Sequence, residues 1–232
     1  MGEARPLLEE LGTKDGTEPS LIALTHMYQG LALLAAGDLQ DAETHLTRGL
    51  ELIQAVGEPQ HTAAALDFLG RLAWVQGDLA GARDRIEQSL THKEAIGSHY
   101  GLGYTLTDLG DILQRTGDPS AARAQYARAL CTLHAIGHAE PSHKALYRLA
   151  GMAMEAGEPV HALRLVSVSK ALSAVTGVLP VPQVRTSIEQ LEVAAREALS
   201  PEAQAAAWAV GEAMTMEQVI VEALGTAETE GR

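Results

Sequence analysis

His134 and His138 stand four residues apart, the spacing at which two imidazoles on one helix share a metal ion. Gly137 between them reads as a helix stop that turns His138 away, and only Cys131 stands beside them at a helical offset. No metal site is expected. Ser142, His143 and Lys144 bring a hydroxyl, an imidazole and an amine together in sequence, but a nucleophile and its base must converge in space from a rigid scaffold. Ser142 is therefore read as a helix start. The glycines are separated by helical stretches and make no phosphate cradle. These residues point away from catalysis, and no cofactor is expected.

The elements that must position any site follow from a repeat. Gly37-Asp38-Leu39 with Ala42 recurs as Gly77-Asp78-Leu79 with Ala82, Gly117-Asp118-Pro119 with Ala122, and Gly157-Glu158-Pro159 with Ala162, each 40 residues after the last. A second series, Gly57, Gly97, Gly137 and Gly177, falls between them. Each segment ends in Gly after an apolar-periodic run, which is how a helix stops when the residue past its end needs positive φ. Each row is then two helices and two short turns.

Within the first helices, Leu66, Leu69, Gly70 and Ala73 fall at i, i+3, i+4 and i+7, and Leu106, Leu109, Gly110 and Leu113 repeat the pattern. Gly inside a helix costs about 1 kcal/mol relative to Ala, so the small residue implies close helix contact. The second helices alternate small and large in the same way, as Ala42, Leu46, Gly49, Leu50 and Ala82, Ile86, Ser89, Leu90. The two helices of a row can thus nest as an antiparallel pair. Asp38 and Asp78 are placed to cap second helices, and Pro119 and Pro159 suit a first helical turn.

Composition agrees. The chain has 232 residues, 46% of them hydrophobic but only 3% aromatic, which favours closely packed helices built on Ala, Leu, Val and Ile. A formal charge of −13 opposes phosphate neutralisation, so direct nucleic-acid contact is not expected. The single cysteine makes no intramolecular disulfide, Met1–Leu11 has no basic-then-apolar leader, and no apolar run approaches membrane-spanning length. A cytoplasmic, reducing location without membrane contact is expected.

A second stripe on the first helices changes from row to row: Leu24, Met27, Leu31, Leu34; Ala64, Asp67, Arg71, Trp74; Tyr104, Thr107, Asp111, Gln114; Lys144, Tyr147, Gly151, Met154. Trp74, Tyr104 and Tyr147 are poor choices for a bare solvent face. They either pack between rows or anchor a partner.

The rhythm resembles the tetratricopeptide repeat family over about Leu21–Gly177. Gly30, Gly70, Gly110 and Ala150, with Ala42, Ala82, Ala122 and Ala162, sit where that motif has its small residues. Forty residues exceeds the family's typical repeat of about 34, and Gly57, Gly97 and Gly137 replace its terminal proline. The resemblance implies an all-α, right-handed solenoid of helical hairpins whose inner helices line a groove. It also implies that Asp67, Arg71, Trp74, Tyr104, Asp111, Gln114, Lys144 and Tyr147 form the partner-binding face. Asp67 and Asp111 oppose a clamp for an anionic chain end, so such ends are not expected as ligands.

Residues 3–19 read as the second helix and exit turn of a preceding half repeat, with Leu7, Leu8 and Leu11 as its apolar stripe. Four repeats then occupy 20–177, capping helices 178–225 and a disordered tail 226–232. Val184–Leu199 is expected to turn Ile188, Leu191 and Ala195 inward, and Ser200-Pro201-Glu202 and Thr215-Met216-Glu217-Gln218 read as helix starts. The stretch LSPEAQAAAWAVGEAMTMEQVIVEAL resembles the C-terminus of bacterial STAND-class regulatory ATPases, including LuxR-type and SARP-type transcription regulators.

The expected function is non-catalytic recognition of a protein, a peptide or a small-molecule effector by the sensor arm of such a regulator. The alternative is a stand-alone adaptor that dimerises through the Leu7/Leu8/Leu11 end.

Overall fold

The computed structural model describes residues 17–225, and all regular structure among them is helical. The first unit, up to Ser98, holds α1 (Thr17–Ala36), α2 (Leu39–Val56), α3 (Pro59–Gln76) and α4 (Leu79–Ala95). The second, from His99, holds α5 (His99–Arg115), α6 (Pro119–Ala135), α7 (Ala139–Glu155), α8 (Pro159–Thr176), α9 (Pro182–Glu197), α10 (Pro201–Ala213) and α11 (Met216–Gly225). Among the described residues four antiparallel hairpins result: α1/α2 and α3/α4 in the first unit, α5/α6 and α7/α8 in the second. The expected half repeat, with Leu7, Leu8 and Leu11, and the tail from 226 lie outside the described residues.

The glycines do what their spacing predicts. All eight of the two series have positive φ, from 65° at Gly97 to 85° at Gly37 and Gly117. Gly57, at φ 83°, sends its N–H to the Ile53 carbonyl at 3.0 Å and so closes α2. Asp78 Oδ1 accepts the Gly81 N–H at 2.9 Å and Asp118 Oδ1 the Ala121 N–H at 3.0 Å, capping α4 and α6. At α11, Thr215 N–H donates to Gln218 Oε1 at 2.9 Å while Gln218 N–H donates to Thr215 Oγ1 at 3.3 Å. The capping box is therefore reciprocal.

Each hairpin is keyed by a small residue on its first helix and a large one 16 residues later. A Cβ on Gly30 would lie 2.6 Å from Leu46 Cγ, on Gly70 2.9 Å from Ile86 Cδ1, and on Gly110 2.4 Å from Tyr126 Cε1. In the fourth row Ala150 takes the glycine's place, and the residue 16 further on is the smaller Val166. Ala42, Ala82, Ala122 and Ala162 are all fully buried.

Three local expectations change. Ser142 starts no helix: α7 begins at Ala139, held by the row register, and the Ser142 hydroxyl bonds back to the His138 carbonyl at 3.0 Å. Pro19 belongs to no exit turn; like Pro59 at the start of α3, it stands in the first turn of the following helix. Met27 and Thr107, at one position of the variable stripe, are 1% exposed and so belong to the core.

The C-terminal helices fold back over the hairpins of the second unit. α9 packs on α7 and α8, α10 lies along α8, and α11 reaches α6. Gly211 makes the α10 contact possible, since a Cβ there would lie 2.4 Å from the Arg164 carbonyl oxygen. Ser167 Oγ donates to the Trp208 carbonyl at 2.9 Å. On α11, Val219 is fully buried, and Glu217 and Glu222 meet His134 and His161, each at 2.8 Å.

Candidate partner-binding cleft

The eight residues of the expected binding face divide between the units. Asp67, Arg71 and Trp74 lie on α3 in the first; Tyr104, Asp111 and Gln114 on α5, with Lys144 and Tyr147 on α7, lie in the second. On α3, Asp67 pairs with the buried Lys93 of α4. That ion pair ties its hairpin from within, because breaking it would strand a buried charge. Arg71 is exposed and Trp74 half-buried.

In the second unit a ladder of polar contacts joins α5 to α7. Tyr104 donates to Glu140 at 2.8 Å, and Lys144 Nζ meets Asp108 at 2.7 Å and Asp111 at 3.2 Å. Arg148 pairs with Asp111, Nη2 donating to Oδ2 at 2.9 Å, while Nε lies 2.7 Å from Oδ1 without hydrogen-bond geometry. Gln114 donates to Glu155 at 3.2 Å. From α6, Tyr126 donates to Asp111 Oδ1 at 2.8 Å, so three partners converge on one carboxylate.

Charges shift accordingly. Burial opposes the Lys144 ammonium, but Asp108 and Asp111 more than offset it and hold its pKa above the ordinary lysine value. Burial, then the charge of Asp111, pushes the Tyr126 phenol well up. Lys144 thus stays charged and Tyr126 neutral throughout the physiological range. Tyr104, Asp111 and Lys144 therefore set the spacing of α5 and α7.

Past the ladder, α5, α7 and α9 enclose a cleft of about 360 Å³. Gln114 lines it from α5; Tyr147, Arg148, Gly151 and Glu155 from α7; Ser187, Gln190, Leu191 and Ala194 from α9. Gln114 and Tyr147 belong to the expected set. Arg148, Glu155 and the α9 residues were missed, because after Gly177 the 40-residue rhythm stops and nothing in the sequence aligns α9 with the preceding first helices. The Arg148 guanidinium sits 4.8 Å from the centre of the Tyr147 ring and fixes that wall.

The described residues contain no group of three or more His, Cys, Asp or Glu side chains placed to hold a metal. Nor is any helix among them long and apolar enough to cross a membrane.

Residues 21–95 match the tetratricopeptide repeat family model. Tetratricopeptide-like hairpins also account for the likeness to solved structures. The crystal structure of BtubC (BKLC) from P. vanneervenii superposes with a TM-score of 0.67 at 15% identity, covering 99% of this chain and 88% of that one. A Podosopora anserina protein, described as a putative kinesin light chain with nearly identical TPR-like repeats, gives 0.62 at 15% identity, covering 92% and 98%. No curated protein sequence matches the chain. The fold is thus an all-α solenoid type of paired, tetratricopeptide-like helical hairpins.

Proposed function

We propose that this chain is a protein-recognition scaffold in which the cleft between α5, α7 and α9 receives a segment of a partner. The observation that carries the reading is the cleft itself. Its walls come from three helices of one unit, and the α5–α7 ladder holds them apart by ion pairs internal to the protein, so the opening exists before anything binds. Selection of a random dodecapeptide library on the immobilised chain tests it. Selected peptides should lose at least tenfold in affinity on Gly151→Trp, which fills the cleft. Equal binding by that variant, folded by circular dichroism, would reject the assignment.

The wider context we propose is the C-terminal arm of a larger bacterial regulatory ATPase or transcription regulator, where occupancy biases an on/off equilibrium elsewhere. Its support is the resemblance of residues 199–224 to the ends of such proteins. An immunoblot of source-cell lysate should then show a band several-fold above 24.5 kDa. A band at that size would replace the arm with a stand-alone adaptor.

A further inference from the structure

Four of the glycines inside the first helices, one from each row, invite comparison. Gly30, Gly70 and Gly110 are each required by a side chain that a Cβ would strike at 2.4–2.9 Å. Gly151 is different: among the described residues nothing lies within 4 Å of where its Cβ would be. It sits within α7, where Gly costs about 1 kcal/mol relative to Ala, and no packing contact among the described residues requires it. The same place in the other rows holds Leu31, Arg71 and Asp111. Gly151 lines the cleft, so the missing side chain is what opens it there.

What surrounds that opening has a polarity. One helical turn before Gly151 stands Tyr147 and one turn after it Glu155, with Leu191 and Ala194 facing them from α9. The Tyr147 ring, Leu191 and Ala194 give the walls an aromatic and apolar strip, Arg148, Gln114, Ser187 and Gln190 stand beside it, and Glu155 makes one end acidic. The cations nearby are already matched: Lys144 meets Asp108 and Asp111, and Arg148 meets Asp111. Glu155, exposed, accepts from the neutral Gln114 amide, a contact that leaves its negative charge in place.

Resting on the partner-binding reading of this cleft, we infer that it is a socket for a lysine or arginine side chain of a partner peptide. The stem would lie over Gly151 between Tyr147 and Leu191, and the cationic head would meet Glu155 beside Gln114. Long cationic side chains suit such walls, because their methylenes bury against apolar surface while the head keeps a polar partner. The occupant is thus a basic peptide segment, attracted as well by the chain's net charge of −13.

The test is a positional-scanning library of acetylated undecapeptides, randomised except for a fixed central residue, measured by fluorescence anisotropy against the full chain. Libraries with central Arg or Lys should bind at least tenfold tighter than those with central Leu, citrulline or Glu. Glu155→Lys should reverse the order in favour of central Glu, and Gly151→Leu should weaken every library. Central Leu or citrulline binding as tightly as Arg, with no response to Glu155→Lys, would overturn the cationic socket yet leave the cleft as a binding site. Binding unaffected by Gly151→Leu, or absent for every library, would remove the cleft reading and the socket with it.

Discussion

The Cβ that Gly110 lacks would lie 2.4 Å from Cε1 of Tyr126, so the ring of one helix occupies the space that the other leaves empty. The phenol hydroxyl of the same ring then reaches Asp111 at 2.8 Å. One contact keys the α5/α6 hairpin and also orders the carboxylate that spaces α5 from α7. Gly110→Ala should therefore overpack, costing about 1–3 kcal/mol. Gly151→Ala, at a helical glycine with open space around it, should stabilise by about 1 kcal/mol. Thermal midpoints that move in the same direction for both would refute this contrast.

Asp111 holds Lys144, Arg148 and Tyr126 at once. Asp111→Ala would leave two cations and a phenol short of a partner, and the cost should be about 3 kcal/mol, the low end for breaking a buried ion pair. Glu140→Ala, which removes the hydrogen bond from Tyr104 and a charge near His143 but breaks no ion pair of the ladder, should cost about 1 kcal/mol. Urea unfolding of the two variants decides the order.

His143 is fully buried, with Nδ1 at 2.7 Å from Ser169 Oγ. Burial lowers its pKa, outweighing the opposing effects of the Val178 backbone and the Glu140 charge. The folded state thus takes up its proton less readily than the unfolded chain, whose imidazole titrates near the usual value of about 6.5. The stability this contributes is present above that value and falls away as pH drops below it. Stability measured between pH about 7.5 and 5 should decline more steeply for the natural protein than for His143→Gln. Identical slopes would show that the imidazole carries no such linkage.

Gly211 sets how closely α10 approaches α8. Gly211→Val would drive a side chain into the Arg164 backbone and Ser167, and should cost about 1–3 kcal/mol. Trp208 reports the event, because its ring lies 4.6 Å from the Arg196 guanidinium and its carbonyl accepts from Ser167. A red-shifted Trp208 emission, read in a Trp74→Phe background, is the expected signature; unchanged emission and stability would place α10 elsewhere.

The repeat made the hairpins legible, since positive-φ glycines and opposed small and large residues are local requirements repeated from row to row. The binding face was less legible, because surface and core share its spacing. Asp67 reads as a groove residue on its own helix, and only its partner 26 residues on explains it. At that partner's position the rows carry Ile53, Lys93, Leu133 and Ser173, so a charge stands where the neighbouring rows on either side carry hydrocarbon. The return of α10 and α11 over the second helices had a signal of the same kind. Arg83, Asp84, Glu87 and Gln88 on α4 become Arg123, Ala124, Ala127 and Arg128 on α6, then Leu163, Arg164, Ser167 and Val168 on α8. These outward positions carry three charges on α4, two on α6 and one on α8, fewer where the tail covers them. The pairing of each tail helix with its own row lay beyond any local rule, because it depends on the chain reversing after α9.

That reversal limits how this protein can grow. α10 recognises α8 and α11 recognises α6, two successive rows with different outward faces. Copying the fourth row in place would present α11 with a second version of α8. Arg164 would then stand where Ala124 stands now, and Ala174 would replace the His134 that meets Glu217. Lengthening by duplication is therefore penalised at this end of the array, and any such expansion is channelled to rows before the third.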